Sequence, residues 1–150
     1  VVCITDHDDL SSGLYARDEG LRKGYRCAVV PGMEITTLNG HLLALFLEEP
    51  VASMRSLAVT IEAVHRRGGV CVIPHPLSWL VHSVGQAHLE ALLWENIPEQ
   101  RPDAFEVANP SPAGRITQRL APSPAIHCSE ARLYRLRCGP ATNGALPVRQ

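Results

Sequence analysis

Along the first hundred or so positions, short unbroken apolar runs alternate with longer stretches in which apolar residues recur at helical spacing. Val1 to Thr5 reads as a buried strand, followed by Ser11-Ser12 as an N-cap and a helix from Gly13 to Lys23 closed by Gly24. Cys27 to Val30 is a second short run, ended by Pro31-Gly32; Met33 to Thr37 is β-rich, and Asn39-Gly40 signals a tight turn. HLLALFL, His41 to Leu47, is a third strand whose continuous apolarity predicts burial on both faces, as in a parallel or barrel sheet. Met54, Leu57, Ala58, Ile61 and Val64 mark a helix stopped by Gly68-Gly69. A fourth strand, Val70 to Ile73, leads into Pro74-His75-Pro76. Val84 to Trp94 is helical in pattern, and Asp103 to Val107 is a fifth, short strand.

Strands alternating with helices predict an α/β fold with mostly parallel strands and helices outside. The texture changes after about Gln118. Residues 119–150 hold four prolines, scattered arginines and no clear periodicity, which divides the chain into a domain over 1–118 and a tail over 119–150. So abrupt a change resembles a shift of reading frame.

Charge excludes more than it suggests. Fourteen basic and fifteen acidic residues give a formal net charge of -1, with no electrostatic reason for a nucleic-acid or membrane-surface partner. No apolar run reaches the roughly 18 residues of a membrane span, and no signal peptide is visible. The five cysteines are odd in number and form no Cys-x-x-Cys. Cys3, Cys27 and Cys71 each sit in an apolar run, so buried free thiols in a reducing cytoplasm are expected.

The polar residues collect at strand ends. Asp6, His7 and Asp8 follow the first strand, Glu34 follows the second across the Pro-Gly pair, and His41 opens the third. His75 ends the fourth strand between two prolines that restrict its backbone, and Glu106 lies in the fifth. In a parallel sheet the C-terminal strand ends share one edge, so these imidazoles and carboxylates would meet there, repelling one another or held by a divalent cation. Each has another use: Asp-His-Asp can cap the following helix, Glu34 can be a surface turn residue, and His41 can bond a backbone carbonyl. His65, before Arg66-Arg67, reads as a solvated helix end. His82 could lean into a site, and Asn109 and Arg115, in ANPSPAGR, could meet an anion.

Taken in order, ITDHD, PGMEITTLNGHLLAL, GGVCVIPHPLSW and DAFEVANPSPAGR resemble the PHP (polymerase and histidinol phosphatase) superfamily, and more narrowly its small bacterial metal-dependent phosphoesterases. The resemblance runs from Val1 to about Thr117. It implies a distorted (β/α)7 barrel with two or three metal ions (Mn, Zn, Mg or Fe) at the strand C-termini. His7, Glu34, His41 and His75 match metal ligands, with Glu34 in the bridging position. Asp6 and Asp8 flank His7 in the catalytic motif and would orient it; Asn109, Arg115 and His82 would meet the substrate, a small phosphorylated metabolite, nucleotide or short oligonucleotide.

Two family motifs have no match: an initial His-x-His strand and a late Asp-x-His, there being no aspartate after Asp103. The resemblance is therefore to an incomplete barrel, a fragment able to hold one metal and impaired in turnover. A degenerate, non-catalytic domain that binds metal or a partner is the alternative. An amidohydrolase-like deaminase ranks last, because that class carries a metal-bridging lysine at a strand end and the one lysine here, Lys23, falls at a helix end.

Overall fold

The structure, a computed structural model, describes residues 1–78, 81–94 and 97–106. Five strands and three helices follow one another as β1 (Val2–His7), α1 (Ser11–Arg22), β2 (Val29–Thr37), β3 (Gly40–Leu45), α2 (Leu57–His65), β4 (Val70–Ile73), α3 (Gln86–Trp94) and β5 (Ala104–Phe105), with a 3-10 turn at Pro98–Gln100 before β5. The strands form one sheet in chain order, β1-β2-β3-β4-β5.

The expected barrel of mostly parallel strands is not what forms. β1 and β2 are parallel, as are β4 and β5, but β3 runs antiparallel to both its neighbours, and the sheet is mixed and open. The hairpin is the cause. Thr37 pairs with Gly40 across a loop of Leu38 and Asn39, and so short a connection can join only antiparallel strands. The apolarity of HLLALFL reports burial between neighbours, which a central strand has whatever its direction.

A second correction concerns Pro31-Gly32, expected to end a strand. β2 instead runs unbroken through both, pairing Ile4 with Pro31 and Thr5 with Gly32. The glycine is needed there because a Cβ would lie 2.6 Å from the Ala44 carbonyl oxygen and 3.1 Å from Thr5 Cγ2. α1 starts at Ser11 with no side-chain cap from its own N-cap residue, Leu10; the Asp9 carboxylate accepts from the Ser11 amide at 3.0 Å instead.

All three helices pack on one face of the sheet. Leu57, Ile61 and Val64 of α2, Leu89 and Leu92 of α3, and Leu10 and Leu14 around the start of α1 meet Met33, Ile35, Leu42, Ala44, Cys71 and Ile73. The other face holds a smaller cluster drawn from strands alone: Val30, Leu45, Val72 and Ala104, with Leu43 and Val70 against them. Alternation along β2 and β3 places Glu34, Thr36 and His41 on this second face.

No described helix is long and apolar enough to cross a membrane. Of the cysteines expected to be buried, only Cys71 is; Cys3 and Cys27 are exposed, because β1 is the outer strand and Cys27 precedes β2.

Candidate metal centre

Four side chains converge at one edge of the sheet, and register explains each. His7 pairs with Glu34 in the parallel β1–β2 ladder, so the two stand side by side on one face. Thr36 faces His41 across the hairpin, and Glu34, two residues earlier, shares their face. The antiparallel direction of β3 is what brings His41 here: in a parallel strand its first residue would lie at the opposite edge. His75 arrives from the end of β4, two residues past Ile73.

Glu34 is the centre of the group. Its Oε1 lies 3.2 Å from His41 Nδ1 and 3.3 Å from His75 Nε2, and its Oε2 lies 3.7 Å from His7 Nε2. The ring centroids of His7 and His41 are 4.9 Å apart, and those of His41 and His75 5.5 Å. Side chains of Glu34, His41 and His75 are 15–18% exposed, against 62% for His7, so His7 is the member of the group that reaches solvent. Ligand atoms of His7, Glu34 and His41 lie within 4.8 Å of one another.

The protonation states suit a cation. The hydrogen bond from His75 holds the Glu34 carboxyl below its ordinary range, against the opposing effect of burial, with His7 and His41 assisting. Burial pushes His41 down, and its imidazole neighbours His7, His75 and His82 add to that shift while Glu34 opposes it. The outcome is an ionised carboxylate beside a neutral ring, the forms that ligate metals. His75 Nδ1 is buried with no hydrogen-bond partner among the described residues, a polar atom left for something else to satisfy. Three imidazoles around one carboxylate fit a borderline divalent ion such as Zn or Fe better than Mg.

The two aspartates beside His7 do other work. Asp6 accepts a hydrogen bond from the Ser12 hydroxyl and so ties β1 to α1. Asp8 takes up a left-handed backbone, φ 53°, and accepts from the Thr36 amide at 2.8 Å, the Thr36 hydroxyl at 2.7 Å and the Ser53 hydroxyl. Burial pushes the Asp8 carboxyl up, but the bonds from Ser53 and Thr36 outweigh it and hold the group below its usual range. The Asp8 amide in turn donates to the Glu34 carbonyl at 3.0 Å. Asp8 thus braces the strand that carries Glu34 and ties in the 52–55 segment.

His82 does reach the site. Its ring stacks on His41 at 5.3 Å and 26°, and its carbonyl accepts from the His41 amide at 3.1 Å. The loop carrying it presses on the hairpin so closely that a Cβ on Gly40 (φ 139°) would lie 2.5 Å from the Val84 nitrogen. Asn109 and Arg115 lie outside the described residues, as does the 119–150 tail.

Two supporting residues have no role that the sequence alone assigns. Glu106 Oε2 accepts from the His75 amide at 2.6 Å, and the Ser83 hydroxyl donates to the His75 carbonyl at 2.6 Å. The position of Glu106 at the end of a strand is visible in the sequence; its partner depends on the β4–β5 register and is not.

A second set of potential ligands lies at the other end of β4, where His65, Cys71 and Asp103 meet. His65 is no solvated helix end: Nε2 lies 3.0 Å from Asp103 Oδ2, and Nδ1 lies 2.8 Å from the Glu99 carbonyl. Asp103 Oδ2 also accepts from the Cys71 amide at 2.7 Å. Burial and the nearby Asp103 charge push the Cys71 thiol far up, which leaves it a poor ligand.

No protein-family model matches the chain. It is 36% identical over 85 residues to an uncharacterized protein of Methanocaldococcus jannaschii, MJ1587. That stretch is 57% of this chain and 48% of the relative, so the match spans about half the relative's length.

Proposed function

We propose that this chain carries part of a metal-dependent phosphoesterase site, in which Glu34, His41, His75 and His7 hold a divalent cation. The observation that carries it is one carboxylate faced by three imidazoles, from β3, from the segment just after β4 and from β1, at 3.2, 3.3 and 3.7 Å. Such a set is otherwise poorly satisfied: the carboxylate must serve several rings at once, and His75 Nδ1 has no partner among the described residues. The order of the DHD, PG-x-E, G-H and P-H-P motifs, which resembles the PHP phosphoesterases, supports the choice of reaction.

The chain's own groups divide the work. Glu34 turns Oε1 toward His41 and His75 and Oε2 toward His7, so one carboxylate serves both halves of the site. His41, kept neutral by burial, offers a lone pair. His7, the most exposed member, faces the side from which a phosphate ester would enter, and His82 flanks His41 there. A bound divalent ion supplies Lewis acidity toward phosphoryl oxygens and acidifies water. The substrate class is a small phosphorylated metabolite, a nucleotide or a short oligonucleotide.

The test is uptake of Mn or Zn by the purified chain, measured by titration calorimetry, together with turnover of an aryl phosphate. Binding that is lost in Glu34→Ala, with ion-dependent turnover, supports the reading. Absence of binding sinks it. Binding without any turnover favours a non-catalytic metal-binding domain.

A further inference from the structure

We infer that Glu106, assisted by Ser83, is a positioning residue that aims the His75 ring at Glu34; this rests on the metal-site reading above. What points to it is an exchange of acceptors within the β4–β5 ladder. In a parallel pair, a residue that donates its N–H to one strand neighbour accepts, through its own carbonyl, from the neighbour two residues further on. The Glu106 amide donates to the Ile73 carbonyl at 2.9 Å, so the next rung should run from the His75 amide to the Glu106 carbonyl. It runs instead to the Glu106 side chain, Oε2, at 2.6 Å.

The exchange has a geometric consequence. A carboxylate on a side chain reaches further than the backbone carbonyl it replaces, so the His75 peptide can leave the plane of the ladder without losing its hydrogen bond. It does leave: His75 has φ 32°, in the left-handed region, although Pro76 disfavours anything but extended backbone at the residue before it. The other side of the same residue is held as well, since the Ser83 hydroxyl donates to the His75 carbonyl at 2.6 Å while the Ser78 amide donates to the Ser83 oxygen at 3.1 Å. Both peptide groups flanking the strained His75 are therefore held by side chains from separate segments, the end of β5 and the 81–85 loop. Strain of this sort persists where the surroundings over-determine it. What it secures here is the direction of the ring, whose Nε2 lies 3.3 Å from Glu34 Oε1.

The experiment compares Glu106→Ala, Glu106→Gln and Ser83→Ala with the unmodified chain by two readouts. The first is Mn or Zn affinity by calorimetry. Glu106→Ala is expected to weaken binding by roughly 10–100-fold, the range for residues that orient a ligand. Glu106→Gln keeps an Oε acceptor and should restore most of the affinity, and Ser83→Ala should fall between the two, with melting temperatures matched by circular dichroism. The second readout needs no ion: hydrogen exchange of the His75 amide, which should speed up in Glu106→Ala and recover in Glu106→Gln. If the unmodified chain binds no ion, the metal reading fails and the amide exchange alone decides the positioning role. Unchanged affinity in Glu106→Ala, or unchanged exchange at His75, overturns it.

Discussion

β4 carries a knot of histidine and acidic side chains at each end. At its start, Cys71 meets His65 and Asp103; at its finish, His75 meets Glu34, His41 and His7. Both bring potential ligand atoms together, and they differ in what those atoms face. Around Asp103, one carboxylate oxygen receives the Cys71 amide and lies against His65 Nε2, while His65 Nδ1 has the Glu99 carbonyl. Each polar group there has a protein partner, and the knot fastens the end of α2 to the segment before β5. Around Glu34, three rings compete for one carboxylate, and a buried ring nitrogen of His75 has no partner among the described residues. The same residue types thus make a structural clasp where both ring nitrogens of the histidine lie against protein oxygens, and a candidate ion site where one buried ring nitrogen has no partner among the described residues.

Paired substitutions should separate the two most sharply. Glu34→Ala is expected to remove ion uptake in calorimetry, a loss greater than the roughly 10–100-fold that a supporting residue costs. Asp103→Ala should do the reverse, leaving ion affinity alone and costing about 1–3 kcal/mol of stability, because the Cys71 amide loses its acceptor. Equal effects of both on ion uptake would erase the distinction.

Ion-induced stabilisation gives the next largest difference. At a free ion concentration of about 100 times Kd, the unmodified chain should gain about 2.7 kcal/mol. Asp103→Ala should gain as much from its lower baseline, and Glu34→Ala nothing. Thermal melts with and without ion read this directly.

Acid should loosen the Glu34 knot in a defined order. His41 and Glu34 are both held below their ordinary values of 6.5 and 4.5. A group with a lowered folded pKa contributes stability above its unfolded value and loses it as pH falls. Ion-free stability should therefore decline first below about 6.5 through His41 and again below about 4.5 through Glu34. His41→Ala should remove the first step in urea titrations followed across pH, and persistence of that step would assign it elsewhere.

The smallest effect tests a link between the two ends. Asn39, in the hairpin beside His41, accepts from the Leu57 amide at 2.9 Å and so caps α2, whose last residue is His65. Asn39→Ala should cost about 1 kcal/mol of stability, with ion affinity close to unchanged. A large loss of ion binding instead would show that hairpin geometry depends on the cap.

Much of the Glu34 knot is legible in the sequence. His7, His41 and His75 each stand at or just past a strand end between apolar runs, Glu34 follows the Pro-Gly pair, and the proline pair around His75 and the Asn-Gly turn before His41 mark the group further. The supporting partners are not legible there. The flanking position of Asp8 suggests that it orients His7, yet its carboxylate holds Thr36 and Ser53. Glu106 and Ser83 hold His75 through hydrogen bonds between residues 31 and 8 positions apart, which no local pattern encodes. His65 reads as solvated because its sequence neighbours are arginines, while the residues it touches, Glu99 and Asp103, come from beyond α3.

The sequence by itself determined where the strands lie, apart from the Pro31-Gly32 break that β2 does not have, because local apolar runs and turn residues act over a few positions. It also singled out the polar side chains that meet at one edge. The Asn39-Gly40 turn was visible as well, but only the folded sheet shows that it joins β2 and β3 as a hairpin, which sets the direction of β3 and with it the open mixed sheet in place of a barrel of parallel strands. That direction is a property of pairing: a two-residue loop reverses the chain, and the reversal delivers His41 to the edge where His7, Glu34 and His75 already point.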